Sequence, residues 1–229
     1  MIKFVVCRLV TSVKGRPFSI DDKVSNLDIL YLLLFKTLDA LRGLRSFRML
    51  VFVGKGCTFW GKKHMHLSQG VNIGSHNEIH GVSEEGLWIG PASSIGSHCI
   101  IKVTGSLSSL GKSIKIGSNV GIGDFAHIGG AGGVVIGDDT IAGAYLSIHP
   151  ENHIFSDKDT LIREQGVTRE GVHIGSNCWI GAKVTFLDGS KIGNGCVIAA
   201  GAVVRGVFPD NVVIGGVPAR ILKERCDEK

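Results

Sequence analysis

The chain has 229 residues, which is enough for one large domain or for a solenoid with an appended segment. Aromatic residues make up only 7% of it, whereas glycine supplies 33 residues, about twice the average share of roughly 7%. The net charge is +5. Because no basic stripe interleaved with aromatic residues is present, the composition argues against a nucleic-acid-binding protein.

Residues 1–55 lack the repeat that dominates the rest of the chain, and we interpret them as a partly helical extension. Their main feature is a predicted helix, apolar in its first half and basic in its second, over about residues 27–45. Its apolar run is too short to span a bilayer, which takes about 20 residues. Two interpretations stay open. Residues 27–48 make peripheral contact with an anionic membrane surface, or the helix caps an open solenoid end or contacts another subunit.

From about residue 54 to residue 204, apolar residues recur every six positions and are often followed by glycine. The clearest run is Ile174, Ile180, Phe186, Ile192, Ile198 and Val204. A period of six fits neither an α-helix nor an alternating strand. It is typical of a parallel β-helix, in which three short strands form each coil and the recurring side chains stack inward. The expected coil is therefore three repeats long, although the period does not fix the handedness.

Breaks in the repeat divide the chain. Residues 103–113, rich in glycine and serine, predict a loop that leaves the coil. Residues 149–171 form a long polar excursion, and long loops inside compact repeats are usually functional. After residue 208 the repeat stops, and residues 219–225 predict a short closing helix. The expected organisation is an extension over 1–55, a β-helix over 56–207 that contains the excursion, and a C-terminal turn and helix over 208–229.

Six cysteines are scattered and form no CxxC motif, so a zinc knuckle is not expected. Cys178 and Cys196 are separated by three repeats and should stack on adjacent coils. A disulfide is conceivable there, but buried thiols that fill inward positions are favoured. No secretory signal is recognisable, because the apolar run that follows Met1, Ile2 and Lys3 is short and lacks a cleavage site. A reducing cytoplasm is therefore expected.

Several features together resemble the left-handed β-helix hexapeptide-repeat acyltransferases: the six-residue repeat, the His153 loop, and the segments Asn177–Ala182, Ile198–Val204 and Gly216–Arg220. The likeness covers roughly residues 70–225. It is greatest to the branch that holds galactoside and maltose acetyltransferases and the O-acetyltransferases of bacterial surface polysaccharides. The resemblance implies a left-handed coil, a homotrimer, active sites between adjacent subunits, and acetyl-CoA as the donor, with no metal required.

The excursion carries the candidate catalytic histidines, and histidine suits a general base because its pKa lies near working pH. By likeness to the loop of polysaccharide O-acetyltransferases, His153 is the base. The pair His149–Pro150 is similar to the His-Pro of sugar acetyltransferases, so His149 remains the alternative. Glu151 or Asp157 could orient the imidazole, but solvated loop charges are the favoured interpretation of both.

The resemblance also implies a site for acetyl-CoA. Trp179, Ala182 and Ala200 match positions that line the cofactor groove, and the two alanines, also three repeats apart, should stack on successive coils. Arg205, Arg220 and Lys223 follow the last coil and could bind the CoA phosphates, since arginine offers a bidentate fork. His127 is a candidate for contact with the acceptor, although a packing or interface role is slightly favoured.

The expected activity is acetyl-CoA-dependent O-acetylation of a sugar hydroxyl, on a bacterial surface polysaccharide or its precursor, at the cytoplasmic side. Sugar N-acetylation stays open because acceptor choice depends on irregular loops. A metal-dependent hydratase of the carbonic-anhydrase kind is another alternative, but His149 and His153 are four positions apart where those enzymes use a spacing of five. A non-catalytic scaffold is disfavoured by the polar excursion.

Overall fold

A computed structural model describes residues 2–14 and 17–225. It contains two α-helices, α1 (Ile2–Lys14) and α2 (Asn26–Phe47), and two short 3-10 helices, Lys62–His64 and Ile162–Glu164. Within these residues no helix combines the length and apolarity needed to cross a membrane. The strands in chain order are β1 (Phe52–Val53), β2 (Thr58–Trp60), β3 (Met65–Leu67), β4 (Asn72–Ile73), β5 (Glu78–His80), β6 (Leu87–Ile89), β7 (Ser94–Ile95), β8 (Ile100–Lys102), β9 (Ile114–Ile116), β10 (Gly121–Ile122), β11 (His127–Gly129), β12 (Val134–Ile136), β13 (Ile141–Ala142), β14 (Ser147–His149), β15 (Asn152–His153), β16 (Val167–Thr168), β17 (Val172–Ile174), β18 (Trp179–Ile180), β19 (Thr185–Leu187), β20 (Lys191–Ile192), β21 (Val197–Ile198), β22 (Val203–Val204), β23 (Val207–Phe208), β24 (Val212–Gly216) and β25 (Ala219–Glu224).

These strands form a three-sided parallel coil. Sheet A contains β1, β4, β7, β10, β13, β18, β21, β24 and β25. Sheet B contains β2, β5, β8, β11, β14, β19 and β22, and sheet C contains β3, β6, β9, β12, β17, β20 and β23. Strands of one sheet pair in parallel from coil to coil, except for β24 and β25. Each turn of the chain thus passes through sheets A, B and C in order, as the six-residue repeat predicts.

The predicted inward column is confirmed. Every residue of the run from Ile174 to Val204 is at most 2% exposed. Burial of these branched side chains stabilises the coil by about 25 cal/mol for each Å² of apolar surface removed from water. The predicted coil length of three repeats holds between Ile174 and Val204, where Ile174 pairs with Ile192, and the closing turn is shorter, since Ile192 pairs with Phe208. Earlier coils are longer, as the pairing of Ile73 with Ile95 shows, because the corners between strands accept insertions that leave the strands in register.

Helix α2 lies against the N-terminal end of the coil. Ser25 and Asp28 begin it with a reciprocal capping box, since the Ser25 side chain accepts from the Asp28 amide and the Asp28 carboxylate accepts from the Ser25 amide. Gly43 approaches the first coil so closely that a Cβ atom there would collide with the carbonyl oxygen of Val51. Lys36 donates to the Asn72 side chain at 2.7 Å. The helix therefore covers the first coil, as the capping interpretation expects.

The predicted C-terminal helix is wrong. Residues Ala219–Glu224 form β25, which pairs antiparallel with β24 at the edge of sheet A. The segment is rich in helix-forming side chains, but an unpaired β24 would expose a row of backbone donors and acceptors. The hairpin satisfies these groups, and tertiary pairing overrides local propensity.

The cysteine prediction is confirmed for the described thiols. Cys178 and Cys196 are buried and free, and lie one coil apart just before the paired residues Trp179 and Val197. Burial raises the pKa of Cys178, so its thiol stays protonated and acts as a small apolar filler.

Candidate functional site

The excursion is an ordered hairpin and not an irregular loop. His149 still belongs to β14, and the chain leaves the coil at Pro150. The strands β15 and β16 then pair antiparallel, with Asn152 opposite Thr168 and His153 opposite Val167. The hairpin emerges where sheet B turns into sheet C, so it projects from one corner of the coil. The backbone around His153 is thereby fixed by strand pairing.

Arg169 attaches this hairpin to the coil. Its Nε donates to the Glu151 carboxylate at 2.7 Å, and its Nη1 donates to Ser109 Oγ at 2.9 Å and to the Leu110 carbonyl. Ser109 and Leu110, the two acceptors for Nη1, belong to the predicted loop after β8. Glu151 is thus committed to Arg169 at the base of the hairpin. Two insertions far apart in sequence form one structural unit.

The hairpin tip is closed by its own polar groups. Asp157 accepts from the Thr160 hydroxyl at 2.7 Å and from the Asp159 amide, and these bonds lower the pKa of its carboxyl group. The Gln165 side chain donates to two carbonyl groups of the same segment, those of Asp157 and Thr160. No described hydrogen bond joins Asp157 or Glu151 to His153. Both carboxylates therefore make contacts within the excursion, Glu151 with Arg169 and Asp157 with Thr160.

His153 faces a cleft of roughly 530 Å³ between the hairpin and the coil. Phe155 from the hairpin, Asp188 from the end of β19 and Arg205 from the end of β22 also line it. The Asp188 side chain is 4% exposed, and its carboxylate accepts from the Gly171 amide at 2.8 Å and from the Thr168 hydroxyl at 2.9 Å. The cleft thus combines an exposed imidazole, an exposed guanidinium and an anchored carboxylate.

The two other candidate histidines lie together on the outer surface of sheet B. His127 on β11 and His149 on β14 stack with ring centroids 5.4 Å apart. His149 Nε2 shares a hydrogen bond of 2.7 Å with Ser147 Oγ, so its ring is held by the coil itself. His149 also pairs in register with Leu187, which lines the cleft of His153. Leu187 therefore connects the surface that carries His149 with the cleft that His153 lines.

His127 is adapted to remain uncharged. Its Nδ1 is buried and has no hydrogen-bond partner within the described part of the chain. Burial, together with the nearby His149 and Lys102, lowers the pKa of its imidazole. The geometry suits a neutral ring that packs against His149.

Replacement of His127 by Gln should weaken the pH dependence of stability. The unfolded chain binds a proton at His127 near its ordinary pKa, whereas the native state resists it, so native stability falls as the pH drops below about 6.5. The Tm of the wild type should therefore decrease more between pH 7 and pH 5.5 than that of His127→Gln. The exposed His173 supplies the control, and His173→Gln should keep the wild-type slope. Equal slopes for all three proteins would refute this assignment.

Sequence reasoning missed a charged cluster beside these histidines. Glu78 on β5 contacts Lys102 Nζ at 2.9 Å and His80 Nε2 at 3.1 Å. Lys102 is in register with Gly129, at the end of the strand that carries His127. The unequal coil lengths place these residues 22 to 27 positions apart, as in the pairs Glu78–Ile100 and Ile100–His127. A fixed period of three repeats therefore could not align them.

The predicted cofactor residues lie at the other edge of sheet B or on sheet A. Trp179 is 57% exposed on β18. Ala182 and Ala200 stack on successive coils at the corner between sheets A and B, where the Ala182 carbonyl accepts from Gly201 and the Ala200 amide lies against Gly181. Arg220 and Lys223 lie on β25 in sheet A. Of the predicted cationic residues, Arg205 alone lines the cleft of His153.

Within one chain, therefore, the structure brings His153 and Arg205 together, and separately His127 and His149. It does not bring the cofactor candidates on sheet A to His153, because the width of sheet B separates the two corners. Within residues 2–14 and 17–225, no group of three or more His, Cys, Asp or Glu side chains is arranged to hold a metal ion.

Known sequences share the repeat of this chain. Residues 171–206 match the family model "Bacterial transferase hexapeptide (six repeats)". The chain is 38% identical over 118 residues to WbbJ of Escherichia coli K12, provisionally named a lipopolysaccharide biosynthesis O-acetyl transferase, covering 48% of this chain and 60% of WbbJ. It is 34% identical over 99 residues to the galactoside O-acetyltransferase of the same strain, covering 41% and 45% of the two chains. The chain thus spans less than two thirds of the length of either relative.

Solved structures share the fold at low sequence identity. A provisionally named acetyltransferase of Bacillus cereus superposes with a TM-score of 0.53 at 20% identity, covering 76% of this chain and 86% of that one. A mutant of AntD, an N-acyltransferase from the same species in complex with dTDP-4-amino-4,6-dideoxyglucose and coenzyme A, gives a TM-score of 0.53 at 16% identity, covering 82% and 90%. These likenesses confirm the left-handed parallel β-helix. With its stacked coils and its matching repeats, the chain is similar to hexapeptide-repeat transferases, whose family model matches residues 171–206.

Proposed function

We propose that this protein is an acetyl-CoA-dependent O-acetyltransferase that acts on a sugar hydroxyl of a bacterial surface polysaccharide or its precursor. The observation that carries the proposal is the ordered hairpin, which holds an exposed imidazole over a cleft that Asp188 and Arg205 also line, at one corner of the coil. The names of the relatives, a lipopolysaccharide biosynthesis O-acetyl transferase and a galactoside O-acetyltransferase, support an acetyl group as the group transferred and a saccharide as the acceptor.

In the proposed reaction, His153 is the general base. Its imidazole takes the proton of the sugar hydroxyl as the oxygen attacks the thioester carbonyl of acetyl-CoA. The tetrahedral intermediate then collapses, the carbon–sulfur bond breaks, and the imidazolium returns the proton to the departing CoA thiolate. The products are the acetyl ester and free CoA, and both substrates must be bound together. His149 on β14 is the alternative base.

The donor is proposed to lie along the corner between sheets A and B. Ala182 and Ala200 are small and exposed there, so the amide-bearing pantetheine arm can approach their backbone closely. Trp179 offers an exposed apolar surface beside them. Arg220 and Lys223 on β25 are proposed to bind the CoA phosphates, which charge-assisted hydrogen bonds hold most strongly.

A homotrimer resolves the separation of the two half-sites. The cofactor corner and the His153 hairpin lie at opposite edges of sheet B in one chain, so neither corner alone forms a complete site. If adjacent subunits face each other, the hairpin of one chain can reach the donor corner of the next. The polar surface formed by Ser147, His149 and His127 then lies between them and is proposed to contact the acceptor hydroxyls. This arrangement predicts three sites for each trimer.

The free state of all described cysteines favours a reducing compartment, and we place the reaction in the cytoplasm. A disulfide would be expected in several places in a secreted protein with this many thiols.

The purified protein should be stabilised by acetyl-CoA, since a ligand that binds only the native state raises the Tm, by about 2.7 kcal/mol of stability at 100 times Kd. Incubation with acetyl-CoA and a panel of sugar nucleotides and oligosaccharides should release free thiol. Mass spectrometry should show a gain of one acetyl group on a hydroxyl. Arg220→Gln should raise the KM for acetyl-CoA, whereas Arg163→Gln, on the 3-10 helix of the excursion, should not.

If only amino sugars are acetylated and the products are amides that resist mild base, the activity is N-acetylation and not O-acetylation. Absence of both thermal stabilisation and thiol release across the panel would refute the acetyltransferase proposal.

A further inference from the structure

The outer face of α2 is apolar although no residue in the described part of the chain covers it. The helix buries the side of Ile29 and Gly43 against the coil. On the opposite side, separated by three and four residues, stand large apolar side chains that are 39–74% exposed. They are Leu27, Tyr31, Leu34, Leu38 and Leu41. A contiguous exposed apolar surface normally marks an interaction site, so this stripe predicts a partner.

The charge of the N-terminal segment is opposite in sign to an anionic lipid surface. Residues 1–50 contain nine Lys and Arg against four Asp, a net charge of +5, whereas residues 51–229 contain 16 of each sign. The whole net charge of the protein therefore lies on the segment that exposes the apolar stripe. A second copy would bring the same charge against it and would be repelled. Anionic lipid is attracted to it instead.

The positions of the basic residues fit a helix that lies parallel to a membrane surface. Arg45 continues the apolar stripe by one further turn and is exposed, and Arg48 follows at the C-terminal cap. Helix α1 adds exposed apolar residues, including Phe4, with the Arg8 guanidinium 5.8 Å from the Phe4 ring. The stripe from residue 27 to residue 41 is about 21 Å long at 1.5 Å per residue. Apolar residues with basic residues at the end of the stripe characterise helices at a bilayer interface.

We propose that the outer face of α2, with α1, docks the protein on the surface of an anionic membrane. Leu27, Tyr31, Leu34, Leu38 and Leu41 would enter the boundary between headgroups and acyl chains, while Arg45 and Arg48 contact lipid phosphates. The coil stands on the opposite side of α2, so its cleft would remain in water. This inference does not depend on the acetyltransferase proposal, and it concerns a surface separate from the cleft.

Sedimentation with vesicles tests the proposal on the full chain. The protein should bind vesicles of phosphatidylcholine containing about 30% phosphatidylglycerol and should bind pure phosphatidylcholine much less. Leu34→Glu should reduce the partition coefficient about 10-fold or more, since the side chain would no longer enter the apolar layer. Leu107→Glu, at a similarly exposed leucine on the loop after β8, is the matched control and should bind like the wild type.

A second variant separates charge from apolar contact. Arg45→Gln with Arg48→Gln should weaken binding to anionic vesicles roughly 30-fold, because each basic residue near the surface is worth about a five-fold change. Circular dichroism and the Tm should match the wild type for every variant, because all these side chains are exposed. Raised salt should weaken the wild type far more than the doubly substituted variant.

Two results would overturn the proposal. One is that anionic vesicles bind no more wild-type protein than neutral ones. The other is that Leu34→Glu lowers the oligomer mass in light scattering and leaves vesicle binding unchanged, which would assign the stripe to a second copy of the chain.

Discussion

His153→Ala is expected to reduce acetyl transfer by about 10²–10⁴-fold, the contribution of a positioned general base. The loss should fall on kcat, because the imidazole moves a proton in the transition state and is not proposed to hold the donor. The side chain is exposed at the end of a short strand, so its removal creates no cavity and the Tm should stay within about 1 °C of the wild type. The activity measurement is thiol release under saturating acetyl-CoA.

Two matched variants make this result specific. His149→Ala removes a ring that is held by Ser147 and stacked on His127. It should therefore raise KM for the acceptor more than it lowers kcat. His173→Ala, on the outer surface of sheet C, should leave both constants unchanged. If His149→Ala abolishes activity and His153→Ala retains it, the base is His149, and the hairpin serves acceptor binding instead.

The interior of the coil could be predicted from sequence because one rule determines it. Between the corner insertions, a side chain at every sixth position faces inward, as Ile174, Ile180 and Phe186 do. The excursion was equally visible, since a polar break of that length cannot lie inside the column. Its hairpin pairing was not, because the strands β15 and β16 are two residues each and carry no alternation.

The surface could not be predicted in the same way. Alignment of outward side chains depends on the length of every coil, and the corner insertions make those lengths unequal. Glu78, Lys102 and His127 therefore come together by register alone. Sequence spacing identified Ala182 and Ala200 as neighbours but could not place them relative to the hairpin.

The C-terminal strand shows a different limit. Residues 219–224 favour a helix locally, and the competing term is the open edge of sheet A, which exists only once the coil has formed. Local propensity is worth a few tenths of a kcal/mol per residue, whereas each backbone hydrogen bond between β24 and β25 contributes about 0.5–1.5 kcal/mol net. Whether residues 219–224 form a helix or a strand depends on the neighbouring strand β24, which the local sequence of the segment does not include.

Phe186→Ala is expected to destabilise the protein by about 3–5 kcal/mol, the usual cost of removing a buried phenylalanine. Phe186 is fully buried in sheet B, where its register partners are Ile148 on one side and Val204 on the other. All three lie in one inward column, and neither neighbour can fill the cavity without leaving the ladder that fixes its backbone. The cost should therefore lie near the upper end of the range.

Urea unfolding at constant protein concentration measures this cost, since the stability of a trimer would depend on concentration. Phe155→Ala is the control, because the same atoms are removed from a side chain that is 74% exposed, and its effect should stay within about 0.5 kcal/mol. A cost below about 1 kcal/mol for Phe186→Ala would mean that the column relaxes around the vacancy. Such a coil could not act as the rigid wall on which the proposed site depends, because Leu187 and Asp188 follow Phe186 directly and line the cleft of His153.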